Sequence, residues 1–189
     1  MMWAMRKLLF VLAALALAFS PATAGLIAQQ AGQLRTPDVI WVPTQDPVVA
    51  AMLKLAQVTK NDVVYDLGCG DGKIVIAAAK MGARGVGVDI DPKRVEEANA
   101  AVKAAGVGDK VQIIHGDIFD PSLRISEATV VTLYLLPSLN VKLMPRLKSE
   151  LKPGTRIVSN SFDMGDTWPA EKTETVGSYT IYFWTIPGR

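Results

Sequence analysis

The feature that most constrains the fold is a glycine-rich turn between a strand-like segment and a helix-like segment. Residues 63–73 read Val-Val-Tyr-Asp-Leu-Gly-Cys-Gly-Asp-Gly-Lys, an apolar run that ends at Asp66 and continues through three alternating glycines. After the turn, the apolar pattern changes from the period of a strand to that of a helix. Glycine lets the backbone turn sharply and lie against a ligand without an intervening Cβ. A strand, such a turn and a helix amino terminus together favour a nucleotide-like ligand.

The spacing of the glycines discriminates between nucleotide ligands. Gly68, Gly70 and Gly72 form G-x-G-x-G with Asp66 two residues ahead, whereas the dinucleotide fingerprint is G-x-G-x-x-G. A carboxylate in the turn would repel a pyrophosphate, but it suits a ligand that carries an ammonium group. The pattern therefore favours S-adenosylmethionine over NAD, and a nicotinamide oxidoreductase is the weaker alternative.

The remaining chain alternates between strand-like and helix-like periods, which is typical of an α/β fold with a parallel sheet. Thr44 is a candidate N-cap for a first helix, and Asp91-Pro92 begins a later one. A helical region over 138–151 is interrupted by Pro145. Residues 173–186 predict an antiparallel hairpin. The predicted strands before it cover residues 63–66, 85–89, 111–115, 129–133 and 156–159.

The first 24 residues predict a secretory signal peptide. Arg6 and Lys7 precede the apolar run 8–19, Pro21 breaks it, and residues 22–24 (Ala-Thr-Ala) are small, as a signal peptidase requires. We therefore expect export to the periplasm or cell envelope, with membrane association if the leader is uncleaved. If the chain start is mispredicted, the protein is cytoplasmic. The oligomeric state is not indicated.

The charge and the cysteine content of the chain limit the ligands and partners that it can bind. The chain has 20 basic and 18 acidic residues, and the leader holds two of the basic ones, which leaves 18 of each. No basic run is interleaved with aromatic residues, so nucleic acid is not indicated. Cys69 and His115 are the single cysteine and histidine, which predicts no metal site. We expect a flexible lead-in over 25–38 and one domain over 39–189.

Four motifs stand in the order found in class I S-adenosylmethionine-dependent methyltransferases, and the chain resembles that family over about residues 40–187. They are Asp-Leu-Gly-Cys-Gly-Asp-Gly at 66–72, Gly-Val-Asp-Ile-Asp at 87–91, Gly-Asp-Ile at 116–118 and Leu-Tyr-Leu-Leu-Pro at 133–137. More narrowly, Val42-Pro43-Thr44, the run 73–79 and the near-minimal domain resemble a small bacterial branch related to the mitochondrial protein-lysine methyltransferases.

The resemblance implies a Rossmann-like, mostly parallel seven-stranded sheet with helices on both faces and a C-terminal antiparallel hairpin. It also implies S-adenosyl-L-methionine as cofactor and methyl transfer to a protein lysine or a similar amine. The alternative is a non-catalytic exported binding module on a methyltransferase fold.

The resemblance further implies which residues bind the cofactor. Asp66 would accept a hydrogen bond from the cofactor's ammonium group while the turn amides hold its carboxylate. Asp89 would accept both ribose hydroxyls, with helix capping as its alternative role. Asp117 would accept from the adenine amine, and Ile90 and Ile118 would sandwich the ring. The full set is Asp66, Gly68, Gly70, Gly72, Asp89, Ile90, Asp117 and Ile118.

On the substrate side, Tyr134 is the predicted catalytic residue, nearest the transferred methyl group. Many amino-group methyltransferases carry a polar Asp- or Asn-Pro-Pro-Tyr motif here, whereas this chain has Leu-Tyr-Leu-Leu-Pro. The difference argues against a base amine as acceptor and leaves an aromatic channel for an alkyl-ammonium group. Trp41 and Thr44, as a lid, and Trp168, at the entrance, complete the predicted substrate site. His115 is expected to be an ordinary strand residue.

Overall fold

The computed structural model describes residues 34–188, so the predicted signal peptide and most of the lead-in lie outside the described residues. Four helices and seven strands alternate along this part of the chain. In chain order they are α1 (Asp46–Leu55), β1 (Val63–Leu67), α2 (Lys73–Lys80), β2 (Arg84–Asp89), α3 (Pro92–Ala104), β3 (Val111–His115), β4 (Val130–Leu133), α4 (Pro137–Glu150), β5 (Arg156–Asn160), β6 (Lys172–Val176) and β7 (Tyr179–Thr185).

The strands form one sheet in the order β3-β2-β1-β4-β5-β7-β6. Strand β1 pairs in parallel with both β2 and β4, and β7 pairs antiparallel with β5 and β6. The predicted Rossmann-like fold with a terminal hairpin is therefore confirmed. The chain builds outward from β1 to β3 and then crosses back to β4, so the strand order reverses between β1 and β4. In sheets of this kind, ligands bind outside the carboxyl ends of the strands at such a point.

Alternating side chains of the central strands pack into apolar clusters on the two faces of the sheet. On one face, Val64 of β1 joins the cluster that contains Val49 of α1 and Ile74 of α2. On the other face, Leu67 joins the cluster that contains Leu143 of α4. Burying both faces holds the strand ends, and hence the turns that follow them, in a defined arrangement.

Helix α1 begins one residue later than a Thr44 cap requires. Its N-cap is Gln45, which makes no side-chain capping bond, and Pro47 lies in its first turn. A cap at Thr44 would place Pro47 at the third helical position, where a capping side chain needs an N–H that proline lacks. The prediction of Thr44 as the N-cap is therefore wrong.

The predicted interruption of α4 at Pro145 is also wrong, because the helix is continuous over Pro137–Glu150. Proline removes the hydrogen bond to the carbonyl of Val141, four residues earlier. Both residues are exposed, so water can satisfy that carbonyl. Within residues 34–188, no helix combines the length and the apolarity needed to cross a membrane.

Candidate functional site

A cavity of about 420 Å³ lies at the carboxyl ends of the strands, where the strand order reverses. Its size is within the range of small-molecule sites. Three parts of the chain line it. The ends of β1 and β2, the segments that follow β1, β2 and β3, and the starts of α2 and α3 contribute Asp66, Gly68, Cys69, Asp71, Lys73, Ile74, Asp89, Ile90, Asp91, Arg94, Asp117 and Ile118. The ends of β4 and β5 and the start of α4 contribute Tyr134, Leu135, Leu136, Leu139 and Phe162. Residues 35–42, except Thr36, and Thr44 line it from the lead-in side.

The carboxylate of Asp66 lies buried in the cavity wall with 3% of its surface exposed. Its Oδ1 accepts a hydrogen bond of 2.8 Å from the hydroxyl of Thr132 on β4. Burial, together with the nearby carboxylates of Asp89 and Asp71, raises the pKa of Asp66 to about 7, against the lowering effect of the Thr132 bond. Within residues 34–188, no lysine or arginine forms an ion pair with Asp66. A buried carboxylate in this state suits a ligand that brings its own positive charge.

One amide of the glycine turn, that of Gly70, donates to Asp89. The N–H of Gly70 donates to Oδ2 of Asp89 at 2.8 Å, and the N–H of Asp91 donates to Oδ1 of Asp89 at 2.9 Å. The alternative capping role of Asp89 is wrong, because Asp91 is the N-cap of α3 and accepts from the N–H of Lys93. Asp89 thus ties the β1 turn to the β2 turn, and each oxygen keeps a second lone pair for a ligand.

The three glycines of the turn have different surroundings. Gly68 lines the cavity with φ +94°, and a Cβ there would lie 3.0 Å from Leu135. Gly70 is covered by Trp41, because a Cβ on Gly70 would lie 1.9 Å from Nε1 of that ring. Gly72 is the N-cap of α2 and packs against Ala98, outside the cavity lining. The three predicted glycines therefore differ: Gly68 lines the cavity, Gly70 contacts Trp41, and Gly72 packs between helices.

Residues 35–42 lie along the cavity, and Arg35 holds this segment there. The Arg35 guanidinium donates to both oxygens of Asp117, with Nε–Oδ2 at 2.6 Å and Nη2–Oδ1 at 3.0 Å. These bonds lower the pKa of Asp117 and keep its carboxylate charged. Trp41 lies between Gly70 and the guanidinium of Arg94, which is 4.5 Å from its ring centroid. The sequence did not indicate Arg35, because its partner lies 82 residues away.

The side of the cavity formed by the ends of β4 and β5 and the start of α4, which we call the acceptor side because sequence analysis predicts the methyl acceptor there, is aromatic and apolar. The rings of Tyr134 and Phe162 stack with centroids 6.2 Å apart at an interplanar angle of 28°. Both line the cavity together with three leucines from the start of α4 and the residues before it. Among the lining residues that the structure describes, every charged side chain comes from residues 35–117. Sequence analysis missed Phe162, and its position after strand β5 was the only available signal.

Trp168 and His115, which were both considered from the sequence, do not line the cavity. The prediction of Trp168 at the substrate entrance is not supported by the geometry, because its ring packs against Trp184, whose Nε1 donates to the Trp168 carbonyl at 2.9 Å. Asp163 and Asp166 also lie outside the lining. Nε2 of His115 lies 3.1 Å from the Ile90 carbonyl, outside the cavity as well.

The comparisons with known proteins agree with this geometry. A family model described as the ANTKMT methyltransferase domain matches residues 66–171. The protein-lysine N-methyltransferase of Saccharolobus islandicus (strain REY15A) is 45% identical over 155 residues, which cover 79% of this chain and 95% of that protein. The adenine nucleotide translocase lysine N-methyltransferase of Mus musculus is 34% identical, and the match covers 63% of this chain and 53% of that one.

A solved structure gives the same fold with a related ligand. The crystal structure of an RNA methyltransferase from Salinibacter ruber in complex with S-adenosyl-L-homocysteine has a TM-score of 0.76 and 55% identity. That match covers 78% of this chain and 95% of the solved one.

Proposed function

Because the chain belongs to the ANTKMT methyltransferase domain family of S-adenosylmethionine-dependent methyltransferases, we propose that it methylates the side-chain amine of lysine in a protein. The observation that carries this proposal is the 45% identity to a protein-lysine N-methyltransferase over 95% of that protein's length. The aromatic, uncharged acceptor side of the cavity supports it.

The residues of the cavity fit S-adenosylmethionine. Asp66 is a buried carboxylate without a cationic partner among residues 34–188, and it suits the ammonium group of the cofactor. Asp89 has free lone pairs for the ribose hydroxyls, and Ile90 and Ile118 line the cavity as apolar walls for the adenine. When bound, the cofactor supplies a methyl group on a positively charged sulfur.

Asp117 is proposed to receive the adenine amine, although Arg35 and the N–H of Phe119 already donate to its carboxylate. The remaining lone pairs would accept the amine alongside Arg35. The Arg35–Asp117 pair therefore belongs to the proposed adenine pocket, and it joins that pocket to the lead-in.

The acceptor lysine must lose its proton before it can attack a methyl carbon. The unperturbed pKa of a lysine amine is about 10.4, and transfer into an apolar cavity lowers it. The uncharged wall around Tyr134 and Phe162 would provide that transfer without a carboxylate to hold the proton. Tyr134 is proposed to orient the amine, and orientation of reacting groups is the main contribution that a protein makes to such a displacement.

RNA is the second candidate acceptor, because the Salinibacter ruber relative is described as an RNA methyltransferase. The part of the chain after residue 24 has 18 basic and 18 acidic residues. It lacks the excess of positive charge that attracts a phosphate backbone. The acceptor side of the cavity also lacks a side-chain amide or carboxylate to hold a base amine, among the lining residues within 34–188. Both observations favour the protein acceptor.

We expect the purified protein to transfer labelled methyl groups from S-adenosylmethionine to protein lysines in a cell extract. Acid hydrolysis should release the label as Nε-methylated lysine, and prior acetylation of the extract's lysines should remove it. Label that is sensitive to ribonuclease would instead indicate an RNA acceptor. Cofactor binding without transfer to either acceptor would favour the non-catalytic binding module.

We also propose that the mature enzyme acts in the periplasm or cell envelope, supported by the charged, apolar and small-residue segments of residues 1–24. Amino-terminal sequencing of the protein from fractionated cells is expected to find a chain that begins at Gly25 in the envelope fraction. An intact amino terminus in the cytosol would contradict export, and an intact one in the membrane fraction would indicate an uncleaved anchor.

A further inference from the structure

We propose that Phe162 and Tyr134 together form the subsite for the acceptor's alkyl-ammonium group, and that Asn140 is the residue that positions Phe162. The inference rests on the proposed function, since it concerns the same cavity. It adds two residues, Phe162 and Asn140, that lie 28 and 6 positions after Tyr134 in the chain.

The two sides of the cavity have opposite chemistry. The side built by β1, β2 and β3 is charged: Lys73 and Arg94 also line it, and its carboxylates Asp66, Asp89 and Asp117 suit a ligand rich in hydrogen-bond donors. The side built by β4 and β5 presents two stacked rings, Tyr134 and Phe162, and no charged group among the lining residues that the structure describes. A second ligand that meets the first between these two sides would therefore contact the aromatic wall.

Asn140 holds Phe162 in that wall. The side chain of Asn140 is fully buried on the first turn of α4. Its Nδ2 donates to the carbonyl oxygens of Phe162 at 3.1 Å and Asp163 at 3.2 Å, and it lies 3.3 Å from Oγ of Ser159. The backbone turns sharply after β5, because Ser161 has φ +65°. Residues other than glycine rarely adopt this backbone conformation. Burying a polar side chain costs free energy unless it is hydrogen-bonded. The Asn140 amide group is bonded to the backbone of residues 162 and 163, and these bonds fix the turn that carries Phe162.

An aromatic subsite suits the chemistry of amine methylation. Ring faces attract an alkyl-ammonium ion, yet they do not bind its proton as a carboxylate would. After deprotonation, the nitrogen lone pair forms the new N–C bond, and the electrons of the broken C–S bond pass to sulfur. The methylated ammonium product then loses a proton to solvent. The same rings accept the amine before and after transfer.

The test measures binding of n-butyltrimethylammonium, an unreactive analogue of a methylated lysine side chain, to the protein saturated with S-adenosylhomocysteine. Phe162→Leu is expected to weaken this binding by about 2- to 30-fold, the range of a lost cation–π contact. Affinity for S-adenosylhomocysteine should change by less than about twofold. The control is Tyr179→Leu, which removes a half-buried ring on β7, outside the cavity. Unchanged affinity for the analogue in Phe162→Leu would overturn the subsite.

A double-mutant cycle tests the role of Asn140. We expect Asn140→Ala to weaken binding of the analogue, and Asn140→Ala combined with Phe162→Leu to lose little more than Phe162→Leu alone. Losses that simply add would overturn the positioning role. If Asn140→Ala does not fold, Asn140→Ser takes its place in the cycle as a smaller polar replacement. The Phe162→Leu measurement does not depend on either variant.

The failure of this inference can be distinguished from the failure of the proposed function. Analogue binding that depends on Phe162, without methylation of protein lysine, would contradict the lysine substrate and retain the subsite. Lysine methylation with a KM that Phe162→Leu leaves unchanged would retain the proposed function and contradict the subsite.

Discussion

Replacement of Asp66 by asparagine is expected to weaken S-adenosylmethionine binding by about 10- to 150-fold, the worth of a charge-assisted hydrogen bond. Asparagine preserves the shape of the side chain and can still accept the Thr132 hydroxyl bond, which is 2.8 Å long in the native protein. The variant therefore removes the charge and little else. Calorimetric titration at about pH 8, above the pKa of Asp66, measures the change, with Asp109→Asn as an exposed control. Native affinity in Asp66→Asn would show that the carboxylate does not receive the ammonium group.

The raised pKa of Asp66, about 7, also predicts a pH dependence of cofactor binding. The ammonium group favours the ionised carboxylate, so below about pH 7 binding must displace a proton. Affinity should then fall by about tenfold for each pH unit between about pH 7 and pH 5. In Asp66→Asn this slope should disappear. A native protein whose affinity is flat over this range would contradict an ammonium contact at Asp66.

The same group should make the ligand-free protein less stable as pH rises. The pKa of an unfolded aspartate is about 3.9, whereas that of folded Asp66 is about 7, so the folded state binds the extra proton between these values. Its contribution to stability is present below about pH 4 and is lost as the pH rises to about 7. Asp66→Asn should therefore raise the melting temperature of the ligand-free protein at about pH 8. If Asp66→Asn instead melted at a lower temperature than the native protein at that pH, the buried Asp66 charge could not be destabilising the native fold.

Replacement of Asp89 by alanine is expected to abolish measurable cofactor binding and also to destabilise the protein. The side chain accepts two backbone hydrogen bonds, from Gly70 at 2.8 Å and Asp91 at 2.9 Å. Their loss should lower the free energy of unfolding by about 2–4 kcal/mol. Urea unfolding and calorimetric titration provide the two measurements.

Asp89→Asn is the matched variant, because its side-chain oxygen can still accept one of the two bonds. We expect it to be intermediate in both stability and affinity. The stability effects at about pH 8 should have opposite signs at the two positions, with Asp66→Asn more stable than the native protein and Asp89→Ala less stable. Asp89→Ala with native stability would contradict the role of this carboxylate in joining the β1 and β2 turns.

The elements that sequence analysis predicted correctly depend on local patterns. The strand before Asp66, the glycine turn and the helix after it lie within about 20 consecutive residues, so the change of period and the glycine spacing are visible without a fold. Capping at Asp91 is equally local, because the bond reaches only to Lys93. Local patterns were misleading at Thr44 and Pro145. Pro47 excludes a capping bond from Thr44, and the helix continues through Pro145 because the carbonyl that loses its partner faces solvent.

Local sequence patterns were sufficient to predict the class of fold, the cofactor turn and the acidic residues at the ends of β1 and β2. The partners of those acids and the acceptor wall depend instead on how the chain folds. Thr132 meets Asp66 across 66 residues, and Arg35 meets Asp117 across 82. Phe162 faces Tyr134 because β5 lies beside β4. Such contacts follow from the strand order and from the burial of both sheet faces. A local sequence pattern does not show which distant residues the folded chain brings together.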